Sequence, residues 1–260
     1  MEPPTLPPNV VQAAHNGEAD AQCELAIWHA RQDGPDHAAQ AKDWLLRAHA
    51  QGNSRAAYNL GVLLRDSDQQ AALRYLEESA SADYTLAQRA IGYMLWDNGD
   101  WKGALPWLGK AAVRRDAASE YAVAKIILDA EEPELYGTAV KAASLAAEAG
   151  FVDAQALLAT IFHEGLGVDR SPPDAAYWWQ RAAFNGHAGA QCSLGTSHHL
   201  GIAVPKDIVQ AAQWIIRSCR QGNELAIAYW DRLSAELTDR QYEDAMDLAR
   251  RPLSPADSPQ

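Results

Sequence analysis

At 260 residues the chain exceeds an average domain, so its length fits two domains or one elongated repeat array, and internal periodicity has to decide. A formal net charge of -12 disfavours nucleic acid and anionic membrane as partners, since both repel an acidic surface at long range, whereas a basic protein would be steered in. No stretch approaches the roughly 18 uninterrupted apolar residues of a membrane span, and alanine-rich text with scattered glycine and proline reads as helices joined by short turns.

The opening MEPPTLPPNVVQ has no basic region followed by an apolar run, so no secretory signal and a cytoplasmic location are expected. Cys23, Cys192 and Cys219 show neither CxxC nor close Cys/His spacing, which suits small buried residues in a reducing compartment better than disulfides or a zinc site.

From residue 21 one pattern recurs: a small residue, an apolar residue four positions on, and a small residue next to it. The copies are Ala21, Leu25, Ala26; Ala56, Leu60, Gly61; Ala87, Ile91, Gly92; Ser119, Val123, Ala124; Ala154, Leu158, Ala159; and Ala190, Leu194, Gly195, with Ala226 and Trp230 opening a seventh. The spacing of 31 to 36 residues belongs to two-helix solenoid repeats. Residues four apart share a helix face, so the first two members form the buried stripe of a first helix, helix A. The small third member lets a second helix approach, and a glycine there loses about 1 kcal/mol of helix propensity that packing must offset.

The second helix, helix B, is marked by Trp44, Tyr75, Trp107, Trp178 and Trp214, each 12 residues before the next small residue; the fourth repeat carries Ala142 instead. Asp68, Asp100, Ser171 and Asp207 stand seven residues ahead of four of these aromatics as N-caps, with Pro172 at a first-turn position. Gly52, Gly150, Gly186 and Gly222 supply turns after helix B.

The strings AQALLATIFHEGLGVDRSPPDAAYWWQRAAFNGH, from Ala154, and AQCSLGTSHHLGIAVPKDIVQAAQWIIRSCRQGN, from Ala190, closely resemble Sel1-like repeats of the TPR-like superfamily. The resemblance implies an all-α, right-handed α-solenoid of about six helix-turn-helix repeats with a C-terminal capping helix. The expected division is a proline-rich tail over 1–8, a repeat array over 9–223 with units 17–52, 53–83, 84–115, 116–150, 151–186 and 187–222, capping helices over 224–251 and a disordered tail over 252–260. Ala13 to Gly17 resemble the end of a preceding helix B. The second and third repeats lack the loop that Gly165, Gly167 and Val168 supply in the fifth, and Pro106 falls inside the third helix B.

Family members act mostly as scaffolds and adaptors through the surface lined by A helices, so the resemblance implies a non-enzymatic protein that binds a protein or peptide in its concave groove. By analogy with other helix-pair solenoids, the groove positions collect Arg55, Tyr58, Arg65, Arg89, Tyr93, Trp96, Tyr121 and Lys125, residue types enriched at binding hot spots. The competing reading has Tyr93 and Trp96 filling gaps left by the shortened loops. Asp66, Asp97, Asp129 and Glu164 form an acidic series near the C-terminal ends of successive A helices, where the helix dipole disfavours anions; the repetition points to compensation by arginines of adjacent helices or a basic partner, while acids at this turn are also ordinary in the family the strings resemble, and the structural reading is favoured. If these acids carry the binding, the alternative is an acidic immunity or antitoxin protein that neutralises a basic toxin.

A chemical site is harder to build. His198 and His199 point about 100° apart on a helix, no HExxH occurs, and His198 takes a core aromatic position of the family, so His163, Glu164 and the two histidines are read as structural. Gly165-Leu166-Gly167 follows no strand and lacks a phosphate-binding lysine, so it is read as a turn. No cofactor or metal is expected.

Overall fold

The structure, a computed structural model, describes residues 6–253. The described residues form fifteen α-helices and no strand, in two compact units, Met1–Arg114 and Arg115–Gln260. The tails expected over 1–8 and 252–260 fall largely outside the described residues.

The first unit contains α1 (Pro8–His15), α2 (Ala19–Ala30), α3 (Pro35–His49), α4 (Ser54–Leu64), α5 (Gln69–Ser81), α6 (Thr85–Asp97) and α7 (Trp101–Val113). α2/α3, α4/α5 and α6/α7 pair as helical hairpins, and the second helix of each of the first two hairpins packs on the first helix of the next. The second unit repeats this with α8 (Ala117–Asp129)/α9 (Tyr136–Glu148), α10 (Val152–Glu164)/α11 (Pro172–Phe184) and α12 (Ala188–Leu200)/α13 (Ile208–Arg220). Then α13 packs on both α14 (Glu224–Ser234) and α15 (Asp239–Arg250). This is the helical-repeat architecture of a solenoid.

Three of the six hairpins close tightly because their first helix carries a glycine at one point, where the other three have Ala26, Ala124 and Ala159. A Cβ on Gly61 would lie 2.6 Å from Leu76 Cγ, on Gly92 2.5 Å from Leu108 Cγ, and on Gly195 2.8 Å from Ile215 Cγ1. Leu60, Ile91, Leu158 and Leu194 are almost wholly buried beside these points. Asp68, Asp100, Ser171 and Asp207 each accept a first-turn backbone N–H, satisfying donors that a helix start otherwise leaves open. Pro106 lies within α7 without ending it.

A second periodic device joins one hairpin to the next. The amides of Gln22, Gln88, Gln155 and Gln191, all buried, donate to the carbonyls of Ala14, Ala80, Ala147 and Ala183 at 3.0–3.5 Å. Each adds a second donor to a carbonyl at the end of the preceding helix that already accepts a turn N–H, from Gly17, Asp83, Gly150 and Gly186 respectively. α1 takes part as a half hairpin, since Ala14 belongs to it. At the other end Arg217 and Arg220 of α13 donate to Leu248 O, Arg251 O and Ala249 O at 2.6–2.7 Å, so the last helix is capped by side chains of the repeat it covers.

The aromatic ladder is less uniform than its spacing suggests. Trp214 is 3% exposed, whereas Trp178 is half-buried beneath the Arg181 guanidinium and its neighbour Trp179 packs against the core instead. The adjacent histidines also depart from expectation. His199, not His198, is buried, because the loop after α12 folds back and its Pro205 carbonyl lies 3.2 Å from His198 Nδ1.

Candidate functional site

In the first unit, α4 and α6 lie side by side over Leu76, and between them is an open cavity of about 330 Å³. Tyr58, Arg65, Arg89, Tyr93 and Asp97 line it, with Met94 at the apolar wall. Trp96 stacks on Tyr93, with centroids 6.0 Å apart and planes 24° apart, and Tyr58 packs on Tyr84 at 5.4 Å. Tyr58, Arg89, Tyr93 and Trp96 are all half-buried, which holds the rings in place while leaving faces accessible. Burial pushes the Tyr84 phenol above its usual range, with the Arg55 charge opposing.

Of the residues singled out by periodicity, the structure brings Tyr58, Arg65, Arg89 and Tyr93 to one cavity and adds Trp96 by stacking. Arg55 instead lines a separate hollow of about 280 Å³ with Trp28 and Arg31. Tyr121 and Lys125 belong to the second unit, where Tyr121 packs on Phe151 at 5.3 Å and Lys125 pairs with Asp129. Burial raises the Tyr121 phenol, helped by the charges of Asp153 and Asp129.

Three of the four acids find a cationic or titratable neighbour in their own segment rather than on an adjacent helix. Asp66 is 3.5 Å from Arg65, Asp129 pairs with Lys125 one turn back, and Glu164 is 3.6 Å from His163. Asp97 lines the first-unit cavity.

The second unit holds a larger cavity, of about 580 Å³, that sequence periodicity did not signal. It lies between α10, α12 and α14, with Trp179 of α11 at one wall. Behind it His199 Nδ1 is 2.6 Å from Tyr229 Oη and His199 Nε2 is 3.0 Å from Glu236. The partners are 30 and 37 residues away in sequence, so no local motif could have paired them. His163 packs against Trp179 with ring centroids 5.1 Å apart and planes tilted by 51°. Among the described residues no group of three or more His, Cys, Asp or Glu could hold a metal ion. The three cysteines are free thiols raised by burial, and no described helix is long and apolar enough to cross a membrane.

The Sel1 repeat model matches residues 19–53, 54–84, 152–187 and 188–223, just over half of the chain. The chain belongs to the Sel1 repeat family. Sel1 repeats are typically modules of protein–protein interaction and generally non-catalytic. No curated protein sequence matches the chain. Among solved structures it is similar to c5321, a protective antigen of uropathogenic Escherichia coli with an SLR fold, at 24% identity over 95% of this chain and a TM-score of 0.85. It spans 56% of the length of that protein. A Sel1 repeat protein from Oxalobacter formigenes is 21% identical over 92% of this chain and 98% of its own, with a TM-score of 0.71. At these identities the likeness establishes the fold alone.

The four matched Sel1 segments coincide with the hairpins α2/α3, α4/α5, α10/α11 and α12/α13. Between them the model matches nothing over residues 85–151, which still form two hairpins. Arg89, Tyr93, Trp96, Tyr121 and Lys125 all lie in that stretch.

Proposed function

We propose that this protein is a non-enzymatic adaptor that binds a partner protein or peptide on the A-helix face of its repeats, with Tyr58, Arg89, Tyr93 and Trp96 as principal anchors. The observation that carries the reading is the convergence of Tyr58, Arg65, Arg89 and Tyr93 on one cavity, with Trp96 stacked beside them. Aromatic rings and arginines in half-buried positions provide large contact area at small loss of side-chain entropy. Arg55 of the first unit and Tyr121 and Lys125 of the second belong to the proposed binding set as further contacts, on repeat units divided as the periodicity suggests.

A second reading keeps the fold and makes the protein an acidic immunity or antitoxin protein. The net charge of -12 and the exposed acids Asp66, Asp97, Asp129 and Glu164 favour it. Salt separates the two, since charge-dominated association slows steeply with ionic strength and an aromatic pocket responds little.

The test is affinity capture from the source lysate with wild type beside a Tyr93→Ala/Trp96→Ala variant, both first verified as folded by circular dichroism. A partner kept by wild type in 0.5 M salt and lost by the variant supports the adaptor. A partner captured equally by both and released by salt moves the function to the acids.

A further inference from the structure

We infer that the second unit carries a separate binding site, in the cavity between α10, α12 and α14, for a basic amphipathic segment of a partner protein: an arginine or lysine flanked by a large apolar residue. The volume of about 580 Å³ is within the ordinary range for ligand pockets and holds two large side chains. Its rim leaves Leu200, Ile202 and Leu225 in water, 52%, 47% and 76% exposed, while Trp179 and Pro172 complete an apolar wall.

The polar atoms of the cavity are arranged to accept hydrogen bonds. Thr160 and Thr196 donate their single hydroxyl hydrogens to Ala156 O and Cys192 O, at 3.1 and 3.0 Å, so their oxygens offer only lone pairs. Tyr229 is held from behind by His199. The hydrogen bond from His199 holds the exposed Glu236 carboxyl below its usual range, so it is an ionised acceptor and Nε2 carries the imidazole hydrogen. Nδ1 of the same ring lies 2.6 Å from the Tyr229 hydroxyl, which burial raises above its usual range, so Tyr229 is held at the cavity wall from behind.

Charge points the same way. Glu164 contributes a carboxylate, and α10 and α12 both end at the cavity, bringing the negative ends of two helix dipoles. The Ser193 and Ser197 hydroxyls can turn to donate or accept, and His163 lies against Glu164. An occupant that brings several N–H donors, a positive charge and an apolar body matches this lining; a carboxylate-bearing one meets repulsion. A guanidinium or ammonium on its aliphatic stem, beside a leucine or phenylalanine, has that chemistry, and the net charge of -12 steers it in.

This site rests on the protein-binding reading only in taking its occupant to be a polypeptide. The experiment titrates the full chain with the capped peptide Ala-Leu-Arg-Phe-Ala and its counterparts with Gln or Glu in place of Arg, following by NMR the Trp179 indole N–H and the Thr196 and Leu225 amides. The Arg peptide is expected to shift these signals saturably, the Gln peptide about tenfold more weakly, and the Glu peptide not at all. Glu164→Gln is expected to weaken the Arg peptide about fivefold. Glu148→Gln, which removes the same charge from exposed α9, should leave it within about twofold. Equal binding of the Arg and Gln peptides, equal losses in the two variants, or no saturable shift overturns the site. A saturable Trp179 shift with partner capture unaffected by Tyr93→Ala/Trp96→Ala leaves this site standing and removes the other; capture lost with Trp179 unmoved does the reverse.

Discussion

The second and third repeats and the fifth and sixth use the same helix pair but leave the first helix differently. After α4 and α6 the chain turns within four and three residues, 65–68 and 98–100, whereas seven residues follow both α10 and α12, 165–171 and 201–207. The long loops fold back: the Ser171 N–H donates to Phe162 O and the Asp207 N–H to His198 O, both at 2.9 Å. Gly167 makes the first of them possible, with φ of +73° and a would-be Cβ 2.7 Å from Tyr136. The short-loop repeats lack this cover and present Tyr58, Tyr93 and Trp96 on the exposed face instead. Yet the contact between paired helices, glycine against leucine or isoleucine, recurs in both regions, at Gly61 and Gly92 in one and at Gly195 in the other. The core tolerates a change of loop length because loop closure grows only slowly with length, while the outer face must be rebuilt from side chains.

The comparison can be broken first at the aromatics of helix B. Trp214→Ala is expected to lose about 3–5 kcal/mol by opening a cavity in a dry core, and Trp107→Ala, half-buried in the short-loop region, about half of that. Urea denaturation measures both; equal losses would mean that the short-loop repeats are as tightly packed as the long-loop ones. Gly92→Val and Gly195→Val should each lose about 2–3 kcal/mol by overpacking, to the same extent in both regions. A clear difference between them in the same titration would show that loop length does reach the helix contact.

The fourth repeat sharpens the picture through Glu120, which stands where other repeats carry a buried glutamine. Its Oε1 has no hydrogen-bond partner, and burial raises its carboxyl above the ordinary 4.5, with Arg115 opposing. A carboxyl raised in the folded state binds protons more readily there, so it favours folding at low pH and loses that contribution as pH rises through the folded value. Glu120→Gln should therefore gain about 1 kcal/mol at pH 7 and lose that advantage progressively as pH falls through the raised folded value towards 4.5, as thermal melts at about pH 7 and about pH 4.5 would read. The smallest effect concerns turns after helix B. Arg115 holds a φ of +62° where Gly52, Gly150, Gly186 and Gly222 hold +76° to +89°, and Arg115→Gly should gain roughly 0.5–1 kcal/mol in the same melts.

Much of this molecule was legible in advance because its devices are local. The caps Asp68, Asp100, Ser171 and Asp207 act within three residues of themselves, and the glycines at 61, 92 and 195 announce a close approach wherever the partner helix lies. The buried glutamines are equally periodic in the sequence, but nothing local indicates that each faces the end of the preceding helix. For the candidate site, periodicity placed Tyr58, Arg89, Tyr93 and Trp96 on one face, while assigning Arg55 to the same group overlooked that it faces the hollow beside Trp28.

By itself the sequence determined helix starts, the buried stripe, the repeat length and so the fold, because a 3.6-residue period and a side-chain cap are properties of neighbouring residues. Tertiary structure alone decided that His199 and not His198 is buried, and that Tyr229 and Glu236 meet it from 30 and 37 residues away. It also decided that Trp214 is core while Trp178 is half-exposed. Those outcomes depend on how far each helix is rotated against its neighbours, which is settled by the packing of side chains from several repeats at once.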